Sequence, residues 1–153
     1  MPHSLVRVWI HAISGTKNFL PLIDTISEER IYTHLSEQLT EINCPVRIIN
    51  GMSDHVHLLF QLNPKLTIDT ILKQVKGNTS HWINHNNVLN DKFAWQTGYG
   101  AFSVSQSQLE RVTTYIRNQK EHHKKLTFAG EYEAFLRNSG LDATNIGYGN
   151  ENH

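Results

Sequence analysis

A single cysteine, Cys44, stands in the 153 residues of the chain. That excludes an internal disulfide and any zinc site built from several cysteines. No apolar run approaches the ~20 residues that span a bilayer. The N-terminal MPHSLVRVWI has no signal-peptide pattern, so a cytoplasmic protein without a membrane partner is expected. Charge of neither sign prevails, since 14 Lys and Arg balance 14 Asp and Glu. The chain is therefore not a polycation, and contact with nucleic acid would have to use a local patch. Internal repeats and low-complexity tracts are missing as well. What is present is an ordinary globular composition, 39% hydrophobic and 9% aromatic, which argues against disorder and is enough to close one core without a staple. The unusual count is histidine, at 10 copies, and what these residues can do depends on where they sit.

Residues 5–13, LVRVWIHAI, are rich in β-branched and aromatic types and read as a strand. Thr25 to Glu28 fits a capping box, and Ile31, Leu35, Leu39 and Ile42 recur at helical spacing. Together they predict a helix over 26–42. VRIIN at 46–50 and HVHLLFQL at 55–62 are strands joined by a turn at 51–54. Thr67 can cap a helix carrying Ile68, Ile71, Leu72, Val75, Trp82 and Ile83, weakened at Gly77. A bend at Gly98 and Gly100 leads to a short strand near 100–104. Ser105 to Gln108 repeats the capping-box pattern and starts a helix over 106–125, and a short last helix runs from 128 to 137. The β-α-β-β-α-β order predicts an α+β, ferredoxin-like antiparallel sheet with helices on one face, plus a C-terminal helix. One domain over 1–140 is expected, with a tail at 141–153.

Side chains on a strand alternate faces. Val56, Leu58 and Phe60 therefore point toward the core, and His55, His57 and Leu59 point the other way. Two imidazoles two residues apart on one face can converge on a metal ion. They can equally be a polar face turned to solvent. In the long predicted helix, Tyr115 and Gln119 stand at i and i+4 on one face. Leu109, Val112 and Ile116 form an apolar stripe beside them that can anchor the helix. A tyrosine at a core rim followed by an ordinary helix glutamine would look the same.

Three blocks together carry more than any one of them: Asp54-His55-Val56-His57-Leu58-Leu59-Phe60, then Trp95-Gln96-Thr97-Gly98-Tyr99-Gly100-Ala101-Phe102-Ser103-Val104-Ser105, then Tyr115-Ile116-Arg117-Asn118-Gln119-Lys120-Glu121-His122-His123. In order and spacing the chain resembles the single-tyrosine HUH transposases of small bacterial insertion sequences, from about Trp9 to Gly140. It is less similar around the tyrosine helix to the branch associated with repetitive extragenic palindromes. The resemblance implies that His55 and His57 are metal ligands, Gln119 is the third ligand and Tyr115 is the nucleophile, so that the C-terminal helix is catalytic. It implies a DNA transposase acting on single-stranded DNA. Attack by tyrosine displaces a 3′-OH and leaves a 5′-phosphotyrosine, which keeps the bond energy for rejoining without ATP. A divalent metal withdraws charge from the phosphate and orients it. The ligand set suits Mg²⁺ or Mn²⁺, with imidazole favouring Mn²⁺. The implied partners are hairpin-bearing single strands at the element ends and a second copy of the chain. In the implied homodimer, Tyr115 and Gln119 of one chain complete the His55–His57 site of the other; assembly within one chain is the simpler alternative.

Arg111, Arg117, Lys120, Lys124 and Lys125 cluster on and after the tyrosine helix, and Lys73 and Lys76 lie on the preceding one. They are candidates for DNA phosphate contacts or for solvated helix faces. Trp82, Trp95, Tyr99 and Phe102 are candidates for base stacking or for packing. Ser103 and Ser105 are candidate phosphate contacts, and His122 and His123 are candidate substrate contacts or helix-end histidines. Two other readings remain. His81 and His85, at i and i+4, could join His55 and His57 in a zinc hydrolase, although no HExxH pattern accompanies them. A non-catalytic ferredoxin-like module binding RNA would want aromatics on the sheet face where His55 and His57 stand.

Overall fold

In the computed structural model, residues 4–123 and 127–138 are described. Lys124, Lys125 and the expected tail at 141–153 lie outside them. Four strands, β1 (Trp9–Gly15), β2 (Val46–Met52), β3 (His55–Gln61) and β4 (Gly100–Val104), form one sheet in the order β2-β3-β1-β4. Every neighbouring pair is antiparallel, with Ile13 opposite His57 and Ala12 opposite Leu58 at the centre. This is the ferredoxin-like arrangement expected from the element order.

Helices α1 (Glu28–Glu41) and α2 (Ile68–His85) cover one face. Their Ile31, Leu35, Leu39, Ile71, Leu72 and Val75 meet Ile10, Ala12, Val56, Leu58 and Phe60, the inward set that strand alternation requires. The other face is covered by α3 (Leu109–Arg117), whose Leu109 and Ile116 pack on Trp9 and Leu59. Two short elements follow, α4 (Gln119–His122) and α5 (Phe128–Asn138). No described helix is long and apolar enough to cross a membrane.

Three local expectations give way to better-placed partners. The Thr25–Glu28 capping box does not form. Asp24 Oδ1 instead accepts from the Ser27 amide at 2.7 Å, and Glu28 turns to the Tyr32 hydroxyl and Lys120. The β2 strand runs on to Met52, because Gly51 pairs with Val56 and Met52 with His55. The helix expected over 106–125 is broken. A 3-10 turn at Gln106–Gln108 precedes α3, and Ser105 bonds the Ser107 hydroxyl without capping the helix. Asn118 then separates α3 from α4. The cause lies on β2, where Asn50 Nδ2 donates to the carbonyls of Ile116 (3.0 Å) and Arg117 (3.1 Å). Those carbonyls would otherwise accept the next helical N–H groups. The cap expected at Thr67 does form, with its side chain accepting from Thr70 N at 3.1 Å.

Candidate metal and nucleophile site

Strand β3 carries His55 and His57 into the space beneath α3, α4 and α5, where both are fully buried. Each ring has one nitrogen tied down. His55 Nδ1 lies 2.8 Å from Asp54 Oδ1, and His57 Nδ1 lies 2.8 Å from His11 Nε2. With an ion bound, protons on the two Nδ1 atoms would leave Asp54 and His11 as acceptors and turn both Nε2 lone pairs inward; without one, an Nε2–H can donate to Glu131. The inward atoms converge. His55 Nε2 is 3.0 Å from Gln119 Oε1 and 3.2 Å from Glu131 Oε1. His57 Nε2 is 3.3 Å from the same Glu131 oxygen. Phe128 stacks on the His55 ring with centroids 4.0 Å apart and closes that side.

Tyr115, half-buried on α3, stands edge-on to His57 at 5.9 Å and is covered by the His122 ring at 4.7 Å. Its hydroxyl donates to Glu131 Oε2, which also accepts from Gln119 Nε2 at 2.7 Å. Glu131 Oε1 meets a third imidazole, His123 Nε2, at 3.0 Å. The break at Asn118 does not part Tyr115 from Gln119, and α4 sets the Gln119 amide against His55.

Electrostatics follow from this crowding. Burial alone would raise the Glu131 carboxyl, but the hydrogen bonds from His55 and His57 outweigh it and hold the group far below the usual carboxylate range. Burial works against a charged His55 too, yet its bonds to Asp54, Glu131 and Gln119 leave it raised. His57 is lowered, chiefly by burial. Burial, with the Glu131 charge behind it, pushes the Tyr115 phenol up. The donor set fits a divalent cation. Two ligand atoms each about 2.1 Å from one ion stand roughly 3.0–3.4 Å apart, and the inward nitrogen–oxygen pairs already have that spacing. His55, His57 and Glu131 are also the described group of histidines and acids close enough to share an ion.

The remaining candidates scatter. Arg111 and Arg117 are exposed on α3. Lys120 ties back to Asn50 Oδ1, the Gly51 carbonyl and Glu28. Lys73 is exposed and pairs with Asp69 at 3.2 Å. Lys76 donates to the carbonyls of Gln96 (3.1 Å) and Gly98 (2.7 Å), and burial lowers its pKa to about 8. Trp95 bonds the Lys76 carbonyl, Trp82 stacks on His34, and Tyr99 reaches Asp69. Phe102 is half-buried, and Ser103 and Ser105 are exposed. His81 and His85 stack on each other, exposed on α2. They lie across the sheet from His55 and His57, so the four-histidine zinc site is not assembled. The sheet face that an RNA-binding module would offer is covered by α3. Beside the site, an open cleft of about 330 Å³ is lined by Phe19, Tyr99, Phe128 and Tyr132.

Sequence reasoning missed His11 and Glu131. The first carried a signal: His11 shares its strand face with Trp9 and Ile13, on the strand a ferredoxin-like sheet sets beside β3. Glu131 carried none, because it reaches the site only when α5 folds back over β3.

A family model described as "Transposase IS200 like" matches residues 4–119. Among solved structures, the chain is similar to a candidate transposase from Deinococcus radiodurans R1. The identity is 21%, the TM-score 0.63, and the match covers 78% of this chain and 95% of that one. It is also similar to a REP-associated tyrosine transposase bound to a REP hairpin, at 10% identity and a TM-score of 0.60, over 80% of this chain and 73% of that one. No curated protein matches.

Proposed function

The chain belongs to the family of IS200-like transposases, and from that premise we propose that it cleaves and rejoins single-stranded DNA through Tyr115 at a divalent-metal site on His55, His57 and Gln119. One observation carries this reading. His55 Nε2 lies 3.0 Å from Gln119 Oε1, and the His57 ring stands 5.9 Å from the Tyr115 ring, with the outer imidazole nitrogens held by Asp54 and His11.

The metal, Mg²⁺ or Mn²⁺, would draw charge from a phosphate oxygen and orient the scissile group. His55 and His57 would hold it through fixed rings, and Gln119 through its amide oxygen. Tyr115 Oη attacks phosphorus, the bond to the 3′ oxygen breaks, and the 3′ oxygen leaves as a hydroxyl with the proton given up by the tyrosine. The 5′-phosphotyrosine is then open to a second strand's 3′-OH, which restores the phosphodiester and the tyrosine. Burial beneath α3 and α4 limits attack by water, which would give hydrolysis in place of joining. Arg111 and Arg117, and Lys124 beyond the described residues, are proposed DNA phosphate contacts. Lys73, Lys76 and Lys120 stay proposed contacts in spite of their internal bonds. The hairpin-bound REP-associated relative supports a hairpin DNA substrate, whose cleavage is cytoplasmic work. We take residues 1–140 as one domain and a homodimer as the working assembly.

The test is a denaturing gel of the full chain with single-stranded DNA bearing a hairpin, in Mn²⁺. The wild type should form a covalent adduct, and Tyr115→Phe should form none while still binding the DNA. An adduct at wild-type level in Tyr115→Phe overturns the assignment.

A further inference from the structure

We propose that Glu131, on α5, is itself a ligand of the metal, and that its second carboxylate oxygen holds the Tyr115 hydroxyl beside that metal. The inference rests on the metal site proposed above and adds to it a residue that lies beyond the 4–119 family match.

Geometry carries it. Glu131 Oε1 lies 3.2 Å from His55 Nε2 and 3.3 Å from His57 Nε2. Neighbouring ligands of one ion, each about 2.1 Å from it, have that separation. The oxygen therefore needs no rearrangement of β3 or α5 to share an ion with both rings. Its burial points the same way. Glu131 is 2% exposed, and a buried carboxylate is costly unless its charge is compensated. His55, His57, His123 and the Gln119 amide face it. A divalent cation held between Glu131 Oε1 and the two Nε2 atoms would compensate that charge directly. Chemistry adds a third reason. Two imidazoles and one amide form a neutral ligand set, a weak claim on a hard ion. A carboxylate makes the set harder and anionic, closer to what Mg²⁺ and Mn²⁺ take. The other oxygen, Oε2, accepts from Gln119 Nε2 and from Tyr115. One side chain thus ties the third ligand and the nucleophile to the metal.

The experiment is Mn²⁺ titration calorimetry on the full chain, comparing wild type, Glu131→Gln and His57→Ala, with melting in EDTA as the folding control. Glu131→Gln keeps the shape and one accepting oxygen, and removes the charge and the second acceptor, so its affinity should fall at least about tenfold, the scale on which ligand-shell changes act. A second variant, Glu131→Cys, exchanges a hard ligand for a soft one and should gain a thiolate–cadmium absorption band with Cd²⁺ that the wild type lacks. The native thiol, Cys44, is buried in the α1–α2 core and is common to both proteins. If Glu131→Gln does not fold, the cadmium band decides. Absence of that band, or Mn²⁺ affinity unchanged in Glu131→Gln while His57→Ala has lost it, overturns the role of Glu131 and leaves the histidine site standing. No Mn²⁺ binding by the wild type overturns both.

Discussion

A ligating histidine works best with one nitrogen fixed and the other bare, and at this site the fixing groups come from different distances along the chain. Asp54 sits next to His55 in sequence, whereas His11 reaches His57 from β1, 46 residues away. Asp54→Ala keeps all the proposed ligands and frees one ring, so Mn²⁺ affinity should fall about 10- to 100-fold. His57→Ala removes a ligand and should abolish measurable binding. Calorimetry on both, with circular dichroism to show that the fold persists, separates orientation from ligation. Equal affinities in wild type and His57→Ala would remove the shared site. The same contrast explains what a reader of the sequence can find. His55 and His57 are legible because a two-residue period on a strand puts them on one face, and Tyr115 and Gln119 because a four-residue step does so on a helix. His11 and Glu131 reach His57 across 46 and 74 residues, a separation that no local period encodes.

Among the elements, the β2–β3 hairpin bears the most on the site, because its backbone is packed to the limit where the histidine strand begins. A Cβ built on Gly51 would stand 2.2 Å from the His55 carbonyl and 2.8 Å from Val56 Cα. Both neighbours are backbone and cannot swing aside. Gly51→Ala should therefore cost on the order of 1–3 kcal/mol, as overpacking does, and should disturb His55 with it. Gly77, inside α2, is the counterpart, with nothing within 4 Å of its virtual Cβ. Gly77→Ala should stabilise by about 0.5–1 kcal/mol through backbone entropy. Urea unfolding of the two variants should move the midpoint in opposite directions, and a wild-type midpoint for Gly51→Ala would contradict the packing. The element pattern itself was largely legible: β3, β4, α1 and α2 lie close to where hydrophobic period and turn residues put them, whereas β1 falls at Trp9–Gly15 instead of 5–13 and β2 runs through the expected turn to Met52. The break at Asn118 was not. Leu109, Val112 and Ile116 keep a helical period up to it, and the interruption comes from Asn50, 66 residues earlier, taking the Ile116 carbonyl.

At the scale of the whole molecule, the sheet separates two tasks. One face is sealed by α1 and α2 and holds the main core, while the other gathers the histidines, the tyrosine and Glu131. In this chain α3 lies on its own sheet. Arg47 bonds Thr113 at 3.1 Å and pairs with Glu110, and Asn50 holds the α3 C-terminus. Tyr115 and His57 of one chain therefore stand together, the within-chain alternative to the exchange that the resemblance implies. Exchange would carry α3 over a partner, hinged on the short 105–108 connection, and would break each of those bonds unless the partner's β2 remade them. Mixed dimers of Tyr115→Phe with His57→Ala distinguish the two. With exchange, one composite site carries both lesions and the other carries none, so a verified heterodimer regains adduct formation at one site. Without exchange, each site carries one lesion and the heterodimer is inactive. The contacts that fasten α3 to its own sheet predict the inactive result. Adduct formation by the heterodimer would mean that α3 leaves its sheet for the partner's, and Arg47→Ala, which loosens it, should then raise the exchanged fraction in sedimentation and crosslinking.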